Sequence, residues 1–189
     1  QVIKTCGPDI RLATILGLGK PNRLINALYD AVKGRDDLSL TIFTALSLNP
    51  PEASSDLESR FLTPFTERLY GKNFPRLKYA DDMKAGRLPD NIHVEEFYTQ
   101  PGSYVKSPQG QQNYNSLNYT EVADALSTKG INVVFQRVAS KDRGRYSLSS
   151  NTDLTQDVLE RIHQAGQPRP YCVADVDRNL PWVGGKAER

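Results

Sequence analysis

The chain has 189 residues, 38% hydrophobic and 24% charged, the proportions of an ordinary soluble domain with room for a sizeable core. A formal net charge of +2, with Lys and Arg spread rather than clustered, gives no basis for a nucleic-acid or membrane-surface partner. No apolar run approaches the roughly 20 residues of a membrane span, and no signal-peptide pattern stands at the amino end, so a cytoplasmic location is expected.

Ile10 to Leu16 is a short β-branched run that reads as a strand. Pro21 to Val32 reads as a helix, with Leu24, Ile25, Leu28, Ala31 and Val32 on one apolar face. Pro21 suits the first helical position, where a missing N–H costs nothing, and Gly34 ends the helix. Leu38 to Leu48 is a second buried strand, closed by Pro50-Pro51. Ser55 and Glu58 form a capping box for a helix with Leu57, Phe61 and Leu62 on its apolar side. Thr63-Pro64 should interrupt it, because proline removes a donor and clashes with the preceding turn; a fresh start then carries Phe65 and Leu69 to Gly71.

Arg76 to Gly86 reads as a further helix and Ile92 to Tyr98 as a strand. The polar segment Thr99 to Asn118 is long for a connection without structure, and such lengths are often functional. Asn118 and Glu121 can cap a helix over Tyr119 to Lys129. Ile131 to Val138 is the clearest strand, and Ser147 to Ser149 is a short one after the turn at 140–145. Asp153 and Gln156 should cap a helix bearing Leu154, Val158, Leu159 and Ile162, before a last strand at Tyr171 to Val176. Strands alternating with helices, several of them apolar on both faces, predict an α/β fold: one domain over 1–189, a mostly parallel open sheet covered by helices on both faces.

The turn Gly17-Leu18-Gly19-Lys20-Pro21 falls between a strand and a helix, at the edge where open α/β sheets bind ligands. Its glycines let backbone N–H groups approach a ligand, and the helix amino end favours an anion or an oxyanion. The dinucleotide fingerprint needs a third glycine where Asn22 stands, and a P-loop needs four residues where only Leu18 separates the glycines. A tight turn without ligand fits the stretch as readily. His93 and His163 have no partner at metal-ligand spacing. Glu95 and Glu96 are adjacent in a strand, so one faces inward, either as a catalytic group or in a salt bridge. Ser147, Ser149 and Ser150 lack the nucleophile-elbow pattern. Asp175 and Asp177 point the same way from a strand but lack a third metal ligand. Cys6 and Cys172 match no metal or redox spacing and read as free thiols, with a disulfide left open.

Four segments taken together carry a resemblance: GLGKPNRLINALYDAV; VEEFYTQPGSYVKSPQGQQNYNSLNYTEVADAL; NVVFQRVA with RYSLSSNTDLTQDVL; and VADVDRNLPWVGG. In this order, from about Leu16 to Gly185, they resemble the amino-terminal domain of the acetyl-CoA hydrolase/transferase family, within the class I CoA-transferases. The resemblance implies a two-domain enzyme with its active site in the cleft between similar α/β halves. There a glutamate carboxylate attacks an acyl-CoA thioester and CoA opens the anhydride to a glutamyl thioester. A carboxylate acceptor or water then ends the cycle, which makes the enzyme a transferase or a hydrolase.

That glutamate belongs to the carboxyl-terminal domain, and nothing here matches its surroundings; no catalytic residue is assigned, Glu95 and Glu96 included. The start at Gln1 and the end in LPWVGGKAER agree with the amino-terminal half of a longer protein, inactive alone. On the substrate side the resemblance points to Gly17, Gly19, Lys20 and Pro21, to Gln100, Pro101 and Gly102, and to Ser149 and Asn151. A solvated side chain is the plainer role for Lys20, and helix capping for Ser149 and Asn151. Coenzyme A or acyl-CoA enters as substrate, with no permanently bound cofactor and no metal. The implied partners are acyl-CoA, a small carboxylate, the carboxyl-terminal domain and, potentially, a second copy in a homodimer. Two other readings remain: a stand-alone module that binds CoA or an acidic metabolite, and a metal-dependent hydrolase built on Asp175 and Asp177.

Overall fold

The structure is a computed structural model that describes residues 1–14, 16–141 and 144–184. A short helix that the sequence pattern does not announce, α1 (Val2–Cys6), precedes β1 (Asp9–Thr14). A single 3₁₀ turn, Gly17–Gly19, leads to α2 (Asn22–Val32), β2 (Ser39–Thr44), α3 (Asp56–Tyr70), α4 (Lys78–Lys84) and β3 (Ile92–Glu96). Within the long polar segment lies α5 (Pro108–Gln112), capped by Ser107. A 3₁₀ turn at Tyr119–Glu121 runs into α6 (Val122–Ser127), followed by β4 (Val133–Ser140), β5 (Tyr146–Ser147), α7 (Thr155–Gln164) and β6 (Tyr171–Val176).

Among the described residues six strands form a mostly parallel sheet, as the alternation of strands and helices predicts. β2 pairs in parallel with both β1 and β3, and β1 pairs in parallel with β4. Val133 to Phe135 of β4 face β1 on one side and Tyr171 to Val173 of β6 on the other, so the parallel order is β3-β2-β1-β4-β6. β5 is antiparallel, matched to Ala139 and Ser140 at the end of β4. The chain winds outward from β1 to β3 and then returns to the other side of β1. The gap between β1 and β4 is therefore the topological switch point, where a ligand has room beyond the strand ends.

Alternating strand residues feed two cores. Ile10, Leu12, Leu40, Ile42, Ile92, Val94, Val133 and Phe135 pack with Ile25, Tyr29, Tyr79 and Met83 from α2 and α4. Ala13, Phe43 and Val134 point the opposite way and pack with Val122, Leu126, Val158 and Ile162 from α6 and α7. Helices thus cover both faces. Gly34, with φ 74°, lies just past the α2 cap at Lys33, a left-handed position that glycine fills without strain.

Three expectations need correction. α3 is one continuous helix through Pro64, which removes one intrahelical hydrogen bond without ending a helix that has no buried residue. Its apolar side is not a core face: none of its residues is buried, and Leu57 and Phe61 stand in solvent. Asp153 does not cap α7, whose N-cap position is Leu154 with no side-chain bond; the Asp153 carboxylate is engaged elsewhere, as described below. Smaller differences are shifts of strand ends, β2 stopping at Thr44 and β3 at Glu96, where the backbone turns into the edge loops. Ile15, part of the expected first strand, and Asp142 and Arg143 of the expected turn lie outside the described residues, as does Gly185.

Candidate functional site

Every parallel strand delivers its carboxyl end to the same edge of the sheet, and the loops there are tied to one another. The Gly17 N–H donates to the Ala45 carbonyl at 3.2 Å, joining the turn after β1 to the loop after β2. The Leu46 N–H donates to the Tyr98 carbonyl at 2.8 Å, joining that loop to the one after β3. On the far side of the switch point, the Leu16 N–H donates to Asp153 Oδ2 at 3.1 Å, and the Tyr119 hydroxyl donates to Asp153 Oδ1. The glycine turn is thus the centre of a row of loops bonded on both flanks. Gly17 sits at φ 61°, and a Cβ there would meet nothing within 4 Å, so the requirement for glycine is conformational. Pro21 occupies the position just before α2 rather than its first turn.

Lys20 departs most from its expected surroundings. It is 0% exposed, and its ammonium donates to the Ala45 carbonyl and, at 3.1 Å, to the Leu46 carbonyl. Burial pulls its pKa down to about 7, against the opposing pull of the Glu96 and Asp153 carboxylates. The Lys20 bond holds the β2 loop at Leu46, a non-glycine residue at φ 49°, in a left-handed conformation that an L side chain adopts only when its surroundings enforce it.

Glu96, at the end of β3, is the inward member of the carboxylate pair and 2% exposed. Its Oε1 accepts from the Ser47 N–H at 2.8 Å and the Ser47 hydroxyl at 2.5 Å. The hydroxyl of buried Tyr79 stands 2.6 Å from Ser47 Oγ, so a chain of donors runs Tyr79, Ser47, Glu96. Burial raises the Glu96 carboxyl above its usual range, partly offset by Ser47 and by the Lys20 charge. Burial and the nearby Glu96 charge also push the Tyr79 phenol upward. Lys20, Glu96 with its hydroxyl relay, and the strained loop all lie beside the glycine turn. Glu95, by contrast, meets Lys129 at 2.8 Å and Asn115 Nδ2 at 3.0 Å in a partly exposed ion pair.

Under the switch point lies a slot of about 30 Å³ lined by Ala13, Thr14, Phe97, Val134, Asp153 and Val158, among others. It is apolar apart from a rim of Thr14, Asp153 and Thr155, whose hydroxyls donate to the Phe135 carbonyl at 3.4 Å (Thr14) and to Gln136 Oε1 at 2.6 Å (Thr155).

The other expected site residues divide. Gln100, Pro101 and Gly102 follow β3 at the same edge and are exposed, with Gly102 at φ 77° in a turn. Ser149, at φ 55°, lies in the loop between β5 and α7, but it is buried and its hydroxyl donates to the Pro181 carbonyl at 2.7 Å. Asn151 is half-buried, and its backbone carbonyl accepts from Gln136 Nε2 at 3.2 Å; neither Ser149 nor Asn151 caps α7. His93 and His163 are exposed. Asp175 and Asp177 flank Arg137 at 3.9 and 3.8 Å, and among the described residues no group of three His, Cys, Asp or Glu side chains could hold a metal ion. Cys6 and Cys172 are separate, free thiols. No helix among the described residues is long and apolar enough to cross a membrane.

Asp153, Ser47 and Tyr79 escape a reading of the sequence, because each acquires its role from a partner far along the chain. The alternation of β3 does mark Glu96 as one of two candidates for burial. Comparison of the chain with family models, with curated proteins and with solved structures yields no match, so the site's chemistry rests on its own residues.

Proposed function

We propose that this α/β domain forms one wall of an acyl-CoA and carboxylate cleft in a CoA-transferase or acyl-CoA hydrolase, with the nucleophilic glutamate supplied by a second domain. The observation that carries the reading is the glycine turn at the switch point of the sheet, braced on one flank by Ala45 and on the other by Asp153. Acyl transfer from a thioester passes through an anionic tetrahedral centre, which prearranged backbone N–H donors stabilise. Gly17 already spends its N–H on Ala45, so its part is to shape the turn, and the amino end of α2 behind it is the donor edge offered to such an oxygen. Gln100 to Gly102, exposed at the same edge, form the second stretch of backbone that faces substrate. In this reading Lys20 touches no substrate; it positions the turn and the β2 loop from below. The buried hydroxyl of Ser149 braces the chain at Pro181 in the same supporting way.

The test is chemical trapping in the full-length protein. With acyl-CoA present, borohydride reduction or hydroxylamine should modify one glutamate, and it should lie outside these 189 residues. Labelling of Glu95 or Glu96 would contradict the division of labour. Absence of labelling, together with no turnover of short acyl-CoA substrates, would overturn the reading itself. Micromolar CoA binding to this chain alone would favour a binding module instead.

A further inference from the structure

We propose that α3 is a self-association surface, on which a second copy of this chain lays its own α3 in antiparallel orientation. The inference stands on a region remote from the glycine turn and does not depend on the acyl-CoA reading. Leu57, Phe61, Phe65 and Leu69 recur every fourth residue along one side of the helix and are 79%, 78%, 53% and 56% exposed. Four large apolar side chains in one row on an otherwise bare helix form a continuous patch, which monomeric surfaces rarely carry without a partner.

The helix is held out from the body by firm anchors at both feet. Before it, Asn49 bonds the Leu77 carbonyl at 3.0 Å and Asp81 at 2.9 Å. After it, Arg76 bonds the Pro50 carbonyl at 2.7 Å and grips Asp81 with two nitrogens at 2.9 and 2.7 Å. Ser55 caps the helix through the Glu58 N–H at 3.2 Å, and Gly71, at φ 75°, ends it. A protruding helix this well delimited presents its row as a fixed shape.

The row is self-complementary. Leu57 and Leu69 lie equally far from residue 63, as do Phe61 and Phe65, so a two-fold axis there sets leucine against leucine and phenylalanine against phenylalanine. The charges obey the same symmetry. The first half of the helix carries Asp56 and Glu58 against Arg60, and its second half carries Arg68 against Glu67, with Lys72 just past the Gly71 cap. Antiparallel packing brings the net acidic end of each copy to the net basic end of the other and opposes the two helix dipoles. A parallel pair would stack like ends.

Rows spaced by four residues pack into one another at a crossing angle of about −50°. With about 150–250 Å² for each phenylalanine, less for each leucine, and only their exposed fractions left to cover, the row removes on the order of 500 Å² per copy from water. The total, about 1,000 Å², is the lower bound for a specific interface, so the dimer is weak and depends on concentration.

The full-length protein tests this directly. Sedimentation velocity over a series of micromolar concentrations should show a monomer–dimer equilibrium. Phe61→Arg should weaken it at least tenfold while leaving the melting temperature in place, since the Phe61 side chain is exposed. Cysteine pairing then fixes the orientation in a Cys172→Ser background. Phe61→Cys chains mixed with Phe65→Cys chains should form a mixed disulfide faster than either variant links to itself. A protein that stays monomeric at every concentration overturns the proposal, as it would if another segment of the same chain covered α3. Faster linking within the Phe61→Cys chains alone overturns the antiparallel arrangement.

Discussion

Lys20 offers the sharpest test of the structure, because its burial makes a signed prediction about pH. An unfolded lysine holds its proton up to about pH 10.5, whereas in the fold burial brings the pKa down to about 7. Between those values the unfolded chain binds more protons than the native one, so stability must rise with pH. With the native group half-titrated at about pH 7, stability should rise by roughly 1–2 kcal/mol by about pH 8.5. Urea denaturation at several pH values in this window should show a rising midpoint in the parent protein. Lys20→Met, which keeps an apolar stem but cannot titrate, should remove the rise. Glu96→Gln takes away a carboxylate that holds the lysine pKa up, so the rise should begin at lower pH. The raised carboxyl of Glu96 pulls stability down as pH rises through its folded pKa, so Lys20→Met should show a midpoint that is flat or falls with pH; the thiols of Cys6 and Cys172, raised by burial, act the same way at alkaline pH but are common to all three proteins and cancel in the differences. A rise that persists in Lys20→Met would refute the argument, because it would have to come from another group.

Three further outcomes follow from single positions. Gly17→Ala should cost about 1 kcal/mol, seen as a lowered melting temperature, since the new Cβ meets no neighbour and the whole cost is the left-handed φ. Asp153→Ala removes the acceptor of the Leu16 N–H and the Tyr119 hydroxyl; it should cost about 1–2 kcal/mol and speed hydrogen exchange at the Leu16 amide, whereas Asp153→Asn retains part of both. Ser107→Ala should lower the urea midpoint by the equivalent of about 1–2 kcal/mol, because the buried hydroxyl both caps α5 at Gly110 (3.2 Å) and donates to the Met83 carbonyl (3.3 Å).

Much of the fold is legible because it depends on local pattern. β4 and β2 are apolar on both faces, which only a covered parallel sheet requires, and the breaks at Gly34, Gly71 and Gly86 are left-handed turns that glycine marks in the sequence. The edge that carries the candidate site is legible for the same reason, since a strand followed by glycines and a helix can only end there. α3 shows where pattern stops: the capping serine and the fourfold row are visible in the residues, but periodicity identifies an apolar side without saying what it meets. Pro64 misleads in the same segment, because it weakens a helix without having to end it.

The site itself is less legible, for a physical reason that Lys20 and Asp153 share. Each has a plausible local role, a solvated lysine in a turn and an aspartate before a helix. In each the local role loses to a partner reached only through the fold, at Ala45 and Leu46 for the first and at Leu16 for the second. A solvated lysine would have cost nothing. A buried one is retained only where the loss of hydration is offset by carbonyl acceptors and by carboxylates in a medium of low dielectric. That compensation binds the turn after β1 to the loop after β2, with Glu96 of β3 nearby, and ties down Leu46 at its positive φ. The rigidity of the glycine turn is therefore a tertiary property. It belongs to residues up to 137 positions apart, and no local segment of the sequence contains it.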